Sequence, residues 1–129
     1  MAKSLLVTGA AGFIGANFVH YWAHTHPDDT IVAYDALTYA GNRANLDPLS
    51  GKPNFSFVHA DICDYDQVLA TLREYNTDTI VHFAAESHVD RSIVGPDAFI
   101  RTNIFGTFTL LEAARSWWLG DDKAPAEPL

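Results

Sequence analysis

Short apolar runs alternate with longer amphipathic stretches along this chain. The apolar run at residues 5–7 has the length of a buried strand, and it precedes a stretch in which Ile14, Phe18 and Trp22 recur every four residues. That spacing places the three side chains on one face of a helix. A second apolar run, Thr30–Asp35, is again typical of a strand. The first third of the chain therefore predicts strand, helix and strand in that order.

The alternation resumes after an irregular interval. Residues 36–53 contain two glycines and two prolines without sustained periodicity, which predicts a loop with one helical turn. Asp64 followed by Gln67 is typical of the capping box at the start of a helix. The predicted elements are then a strand at 54–60, a helix at 64–76, a strand at 79–85, a polar loop at 86–96, a helix at 97–118 and a linker-like tail at 120–129.

The order of these elements predicts an α/β fold with one parallel sheet. Right-handed strand–helix–strand connections place the four strands in the order 3-2-1-4, with helices on both faces, as in the Rossmann fold. The carboxyl ends of parallel strands meet at one edge of the sheet, where ligands bind. That edge is expected to bring together Gly9, Asp35, Asp61 and Ala85.

Composition narrows the class of protein. The chain has 129 residues, 48% of them hydrophobic, as expected for one globular domain at most. A formal net charge of −8 argues against nucleic acid and anionic membranes as partners, and no apolar run reaches membrane-spanning length. Cys63 is the only cysteine, so no intrachain disulfide forms and the cytoplasm is the expected location. The first strand begins so early that no room is left for a signal peptide.

Three glycines separate the first predicted strand from the first helix. Gly9, Gly12 and Gly15 have the spacing G-x-x-G-x-x-G, and between a strand and a helix this pattern is typical of dinucleotide binding. Gly9 allows a sharp turn, Gly12 keeps side chains away from a pyrophosphate, and Gly15 lets the helix lie close to the strand. The helix N-terminus then presents N–H groups and its positive dipole end to the phosphates. The alternative is a tight turn that binds no ligand.

Asp35 strengthens the dinucleotide interpretation. It ends the second predicted strand, twenty residues after Gly15, where a carboxylate accepts hydrogen bonds from both ribose hydroxyls of an adenosine. The same carboxylate repels a 2′-phosphate, so NAD is expected rather than NADP. Arg43 is able to bind a phosphate, but it lies well past the end of the strand.

The remaining reactive side chains are interpreted as structural. His59, Cys63, His82 and His88 match no metal-binding spacing, so no metal site is predicted. Cys63 has no motif around it and is expected to be a packed small residue. The charged side chains of the 86–96 loop belong either to the site at the strand end or to a solvated ion-pair cluster.

Four segments of the chain resemble known enzymes. TGAAGFIG at residues 8–15 resembles the glycine motif of the extended branch of the short-chain dehydrogenase/reductase superfamily. DALTYAGN at 35–42 and HFAAESHVDRSI at 82–93 resemble segments of the dTDP-glucose 4,6-dehydratases. Asp61-Ile62 is similar to the pair that reaches the adenine in this branch. The resemblance covers nearly all of residues 4–118.

The resemblance implies an NAD-binding Rossmann domain, with its N-terminal part at residues 1–119. It implies that Ser87 touches the cofactor or the sugar and that Thr102 approaches the nicotinamide from the long helix. The other implied NAD contacts are Gly9, Gly12, Phe13, Ile14 and Gly15 at the pyrophosphate, Asp35, Ala36, Leu37 and Thr38 at the ribose, Gly41, Asp61 and Ile62 at the adenine, and Phe83, Ala84 and Ala85 along the trough.

The reaction implied by the resemblance converts dTDP-glucose to dTDP-4-keto-6-deoxyglucose. Hydride leaves carbon 4 of the sugar for NAD, water leaves across carbons 5 and 6, and the hydride returns to carbon 6. The family's proton-transfer groups are a Tyr-x-x-x-Lys pair and an Asp-Glu pair. No tyrosine here has a lysine four residues on, and the Asp-Glu pair is absent as well. The chain is therefore expected to be the N-terminal portion of a longer enzyme, with the catalytic residues downstream of Leu129.

Two other functions stay open. One is another sugar-nucleotide enzyme, such as a UDP-glucose 4-epimerase or a GDP-mannose 4,6-dehydratase, which shares the glycine motif and Asp35. The other is a truncated NAD-binding module without catalytic activity.

The helix predicted at 97–118 has two apolar faces. One face is able to cover the sheet, which leaves the other in need of a partner. The resemblance implies a homodimer through this helix. The faces consist of Ile100, Ile104, Leu111 and Trp118 and of Phe99, Leu110, Ala113 and Trp117.

Overall fold

The computed structural model describes residues 2–37, 41–84, 97 and 100–120 and gives them an α/β fold. β1 (Ser4–Thr8) leads through the glycine turn to α1 (Phe13–Thr25) and then to β2 (Thr30–Asp35). The later elements are a 3-10 helix at Arg43–Leu49, β3 at Phe55–His59, α2 at Tyr65–Glu74, β4 at Thr79–His82, a π-helical segment at Arg101–Gly106 and α3 at Thr107–Leu119.

The four strands form one parallel sheet in the order β3-β2-β1-β4, which confirms the predicted order. Thr8 at the end of β1 pairs with Tyr34 of β2 and with His82 of β4. Asp35, the last residue of β2, pairs with His59 of β3. All four strands therefore end at the same edge, as the site prediction requires.

Alternate residues of each strand face opposite layers. Leu5 and Val7 pack in the core that α1 and the 3-10 helix cover, whereas Leu6 packs in the core beneath α2 and α3. Because both faces of the sheet are covered, the inner strands β1 and β2 appear in the sequence as nearly continuous apolar runs. In β2, Ile31 and Ala33 pack in the first of these cores, and Val32 and Tyr34 pack in the second.

The interval predicted as a loop with one turn contains the longer 3-10 helix. The side chain of Asn42 caps it by accepting the N–H of Ala44 at 3.0 Å. Leu46 and Leu49 are three residues apart and share one face at three residues per turn. Both are buried against α1, so this segment belongs to the core.

Asp64 caps α2 as predicted, by accepting the N–H of Gln67 at 3.2 Å. The reciprocal half of the predicted capping box is wrong, since the Gln67 side chain donates to Thr71 at 3.2 Å and the Asp64 N–H bonds to the Asp61 carbonyl. α2 ends at Glu74 because the chain turns at Asn76, whose φ of +50° is left-handed.

The helix predicted at 97–118 is helical wherever it is described, but its beginning is irregular. Residues 97 and 100 are helical, the next six are π-helical, and α3 continues to Leu119. Leu110 and Ala113 are buried against the sheet, as one predicted face requires. Phe99 of that face and residues 121–129 of the predicted tail lie outside the described residues. The exposed members of the other face are Ile100, Ile104, Leu111 and Trp118.

β4 ends at His82, earlier than the predicted limit at residue 85, although the Phe83 N–H still bonds to the Thr8 carbonyl at 3.0 Å. Within the described ranges β4 pairs only with β1, so its other side carries no strand there. None of the helices in the described residues has both the length and the apolar character that a membrane span requires.

Candidate functional site

The turn after β1 depends on Gly9. Its φ is +65°, a left-handed conformation that favours glycine. A Cβ on Gly9 would lie 2.6 Å from the Ala84 nitrogen and 2.7 Å from the Phe83 carbonyl carbon. The end of β4 therefore passes directly over the turn, and the Gly9 N–H donates to the Tyr34 carbonyl at 2.9 Å.

Gly15 brings α1 against this turn, as predicted from its place in the motif. A Cβ there would overlap the Gly9 carbonyl oxygen and lie 2.9 Å from the Gly9 carbonyl carbon. Neither neighbour is a side chain that is able to move aside. The close contact consequently sets both the position and the direction of the helix start.

The first turn of α1 points its N–H groups at the carboxyl edge of the sheet. Gly12 is the N-cap residue and has no side chain with which to cap them. The side chains of Phe13 and Ile14 are 81% and 67% exposed. The first N–H groups of a helix have no partner within it, and together with the helix dipole they favour an anion.

Asp35 lies beside this helix start with its carboxylate buried. One oxygen accepts the N–H of Ala11 at 2.8 Å and the other accepts the N–H of Leu37 at 2.7 Å. The first bond links the end of β2 to the glycine turn. Asp35 therefore organises the turn, and its role as the acceptor for ribose hydroxyls stays a prediction.

Two asparagines hold Ala11 from the other side. Its carbonyl accepts the backbone N–H of Asn42 at 3.0 Å and the side-chain amide of Asn45 at 2.9 Å. Sequence reasoning missed these residues because they fall in the interval predicted as loop. An asparagine directly before a short helical segment is a capping signal that indicates part of their role.

The segment after β2 keeps close to Asp35. Leu37 adopts a φ of +56°. A Cβ on Gly41 would lie 2.8 Å from the Asp35 carboxylate, so the chain returns there after residues 38–40. Ala36 accepts a hydrogen bond from His59 of β3 at 3.0 Å. Thr38, another predicted ribose contact, lies outside the described residues.

The predicted adenine pair lies at the turn after β3. The Asp61 carboxylate accepts the Cys63 N–H at 2.8 Å, and the Asp61 carbonyl accepts the Tyr34 hydroxyl at 2.9 Å. Burial raises the pKa of Tyr34, which keeps its hydroxyl a donor. The side chain of Ile62 is buried beside Gly106. The role of this pair at an adenine stays a prediction.

At the β4 side of the carboxyl edge, Phe83 and Ala84 follow the end of the strand. Their N–H groups bond to the Thr8 hydroxyl at 3.1 and 3.2 Å. Thr102 lies in the π-helical segment and is partly exposed. Ala85 and Ser87, predicted at the cofactor trough and the sugar, lie outside the described residues, as do the charged groups of the 86–96 loop.

The other candidate groups have structural contacts. The Arg43 guanidinium lies 4.4 Å from the ring centroid of Phe57, over β3. Cys63 is buried with its thiol 3.5 Å from the Arg101 carbonyl, and burial raises its pKa, which confirms a packed residue. The described residues hold no group of three or more potential metal ligands.

A glycine turn, a helix N-terminus and a strand-end carboxylate at one edge of a parallel sheet define the Rossmann class of α/β proteins. A profile of the GDP-mannose 4,6 dehydratase family matches residues 6–124. The chain belongs to this family.

Several relatives carry the name dTDP-glucose 4,6-dehydratase, which confirms the resemblance found in the sequence. The Salmonella typhimurium protein is 50% identical over 121 residues, which are 92% of this chain and 33% of that protein. The Streptomyces venezuelae enzyme DesIV, solved with NAD bound, has a TM-score of 0.83 at 52% identity. The match covers 92% of this chain and 37% of the DesIV chain.

More distant sugar-nucleotide enzymes share the fold. The UDP-glucose 4-epimerase of Thermus thermophilus, solved in complex with NAD, has a TM-score of 0.77 at 29% identity. The match covers 90% of this chain and 35% of the epimerase. This chain thus spans about a third of the length of the proteins it resembles.

We expect Gly15→Ala to lower the free energy of unfolding by about 2–3 kcal/mol, because the new methyl group overlaps immovable backbone at Gly9. Gly51→Ala is the control. Gly51 has open space around it and only its φ of +89° opposes substitution, at a cost of about 1 kcal/mol. Urea unfolding of both variants measures the difference. Equal losses in the two variants would contradict the importance of the close contact.

Proposed function

We propose that this chain is the NAD-binding N-terminal part of a dTDP-glucose 4,6-dehydratase, a lyase. The observation that carries the proposal is the 2.8 Å bond from the Ala11 N–H to the Asp35 carboxylate, which supports a ribose acceptor beside the glycine turn. Relatives at 50% and 52% identity carry this name, and this chain matches 33% and 37% of their respective lengths. Residues 1–119 belong to this part, and 120–129 lead to the remainder.

The pyrophosphate of NAD binds at the first turn of α1. The N–H groups of Phe13 and Ile14 donate to its oxygens, supported by the positive end of the helix dipole. Gly12 keeps side chains away from the pyrophosphate, while Gly9 and Gly15 allow the tight turn that directs the helix, since side chains there would meet backbone. This fit of an anion to an uncapped helix start supports a dinucleotide over an empty turn.

The adenosine ribose binds at Asp35. Each carboxylate oxygen has about two acceptor positions, and a backbone N–H uses one on each. One position per oxygen is therefore left for the two ribose hydroxyls. The contacts assigned by resemblance to Thr38, Ala85, Ser87 and Thr102 complete the proposed site, with Ser87 also reaching the sugar substrate.

The sugar chemistry belongs to the complete enzyme. Hydride leaves carbon 4 of dTDP-glucose, water leaves across carbons 5 and 6, and hydride returns to carbon 6. Proton-transfer groups are supplied from outside this chain, because none of its tyrosines precedes a lysine by four residues. The chain contributes the bound and oriented cofactor.

The net charge of −8 and the single cysteine support a cytoplasmic enzyme without nucleic acid or membrane partners. The exposed apolar face formed by Ile100, Ile104, Leu111 and Trp118 supports a homodimer. Ile104 and Leu111, seven residues apart, are 66% and 65% exposed on it.

A chimera tests the activity. The corresponding N-terminal third of the Salmonella typhimurium dehydratase is replaced by this chain, and the 4-keto product is measured by its absorbance in strong base. We expect turnover by the chimera and none by the 129-residue chain alone, because a missing acid–base group typically costs about 10²–10⁴-fold. An inactive but folded chimera, or an active chain alone, would contradict the proposal.

Asp35 is predicted to select NAD. Asp35→Ala should weaken NAD binding by about 1.5–3 kcal/mol, the contribution of hydrogen bonds to a charged group, and should improve binding of NADP relative to NAD. Asp47→Ala is the control, because it removes the same charge from an exposed position of the 3-10 helix. Calorimetry gives both affinities. Unchanged NAD affinity without a gain for NADP would exclude Asp35 from the site.

The dimer is tested at Leu111. Leu111→Lys places a charge within the exposed apolar face and should convert a dimer to a monomer, since an unpaired charge at an interface core is costly. Tyr21→Lys is the control, because Tyr21 is 62% exposed on α1 instead. Light scattering at micromolar concentration measures the mass. A wild-type monomer would exclude this interface.

A further inference from the structure

His82 joins the end of β4 to the beginning of α3. Its Nδ1 lies 2.6 Å from the Thr8 hydroxyl oxygen, and its Nε2 lies 3.0 Å from the Thr107 hydroxyl oxygen. Thr8 is fully buried and His82 is partly buried. The imidazole therefore connects β1 to α3 across the end of β4.

The available donors determine the direction of each bond. The Thr8 hydroxyl oxygen accepts the N–H of Ala84 and shares the N–H of Phe83 with the Thr8 carbonyl, and these bonds occupy both of its lone pairs. Its own proton consequently goes to His82 Nδ1, and the neutral ring carries its proton on Nε2 and donates it to Thr107. Burial lowers the pKa of His82 from its ordinary 6.5, in keeping with this neutral form.

Both the hydroxyl and the backbone N–H of Thr107 bond to the preceding turn of the helix. The hydroxyl donates to the Asn103 carbonyl at 3.0 Å, while the Thr107 N–H bonds to the Ile104 carbonyl. A threonine hydroxyl that bonds to the carbonyl four residues earlier often bends a helix there. The π-helical segment Arg101–Gly106 lies directly before Thr107, whose hydroxyl also bonds to His82.

The same segment is held on its other side by the turn after β3. A Cβ on Gly106 would lie 2.6 Å from the end of the Ile62 side chain. The Cys63 thiol bonds to the Arg101 carbonyl at 3.5 Å. The π-helical segment is thus located by two independent contacts, one beside the predicted adenine pair and one at the end of β4.

The strand order places these contacts along the path of a dinucleotide. With the adenosine at Asp35 and the pyrophosphate at α1, the nicotinamide half extends over the end of β4, because the strand order reverses between β1 and β4. Resting on the NAD-binding function proposed above, we propose that His82 is a positioning residue for the nicotinamide half. It acts through Thr107, which sets the π-helical segment that carries Thr102.

Substitutions at Thr107 test this role with little change of shape. Thr107→Val removes the hydroxyl that His82 holds, and Thr107→Ser retains it. Thr109→Val is the matched control, because the Thr109 hydroxyl makes the same kind of bond in the same helix, to the Phe105 carbonyl at 2.9 Å. Calorimetry measures the affinities of each protein for NAD and for ADP-ribose, which lacks the nicotinamide.

We expect Thr107→Val to bind NAD about tenfold more weakly, the value of about one hydrogen bond, with the ADP-ribose affinity changed by less than about twofold. Thr107→Ser and Thr109→Val should keep the wild-type ratio of the two affinities. His82→Leu should repeat the effect of Thr107→Val. NMR correlation of the wild-type His82 ring should show its proton on Nε2.

Three results would overturn the positioning role: equal losses for both ligands in Thr107→Val, the same change of ratio in Thr109→Val, or an unchanged ratio in both Thr107→Val and His82→Leu. Each of these presupposes that the wild-type protein binds NAD and ADP-ribose. A folded wild-type protein that binds neither ligand would instead overturn the proposed function on which the role depends.

Discussion

The close approach of α1 to the end of β1 is the constraint on which the rest of the site depends. Gly15 lies against the Gly9 carbonyl, and Gly9 lies beneath the backbone of Phe83 and Ala84, so three segments meet where no side chain fits. Because these neighbours are backbone atoms, no change of rotamer relieves a substitution there. The contact directs the first turn of α1, with its N–H groups, over the carboxyl edge of the sheet.

The buried carboxylate of Asp35 joins the glycine turn to the end of β2. A buried carboxylate is costly unless it is hydrogen-bonded, and here backbone N–H groups from two different segments bond to its two oxygens. The same bonds hold the glycine turn against β2. Asp35 therefore stabilises the fold, and the ribose recognition proposed for it would use acceptor oxygens at the same place.

The carboxyl edge is completed by polar contacts at both of its ends. Asn42 and Asn45 bind the Ala11 carbonyl near β2, while Thr8, His82 and Thr107 form a chain of hydrogen bonds near β4. Neither group of residues follows a periodic pattern, and none of its bonds joins neighbours in the sequence. These contacts determine how the irregular segments after β2 and before α3 lie against the sheet.

The element order, the strand order and the position of the glycine turn and Asp35 were predictable from the sequence, because they follow from local periodicity, from the handedness of crossovers and from the conformational freedom of glycine. It also predicted that one of the two apolar faces of the helix at 97–118 packs on the sheet, and the burial of Leu110 and Ala113 in the structure identifies that face. The 3-10 helix, the π-helical segment and the bonding of Gln67 were not predicted, because each is set by partners distant in the chain or by competition between hydrogen bonds of similar strength. Only the tertiary structure brings His82 between Thr8 and Thr107, since 74 and 25 residues separate it from these partners and only strand pairing and helix packing make them neighbours.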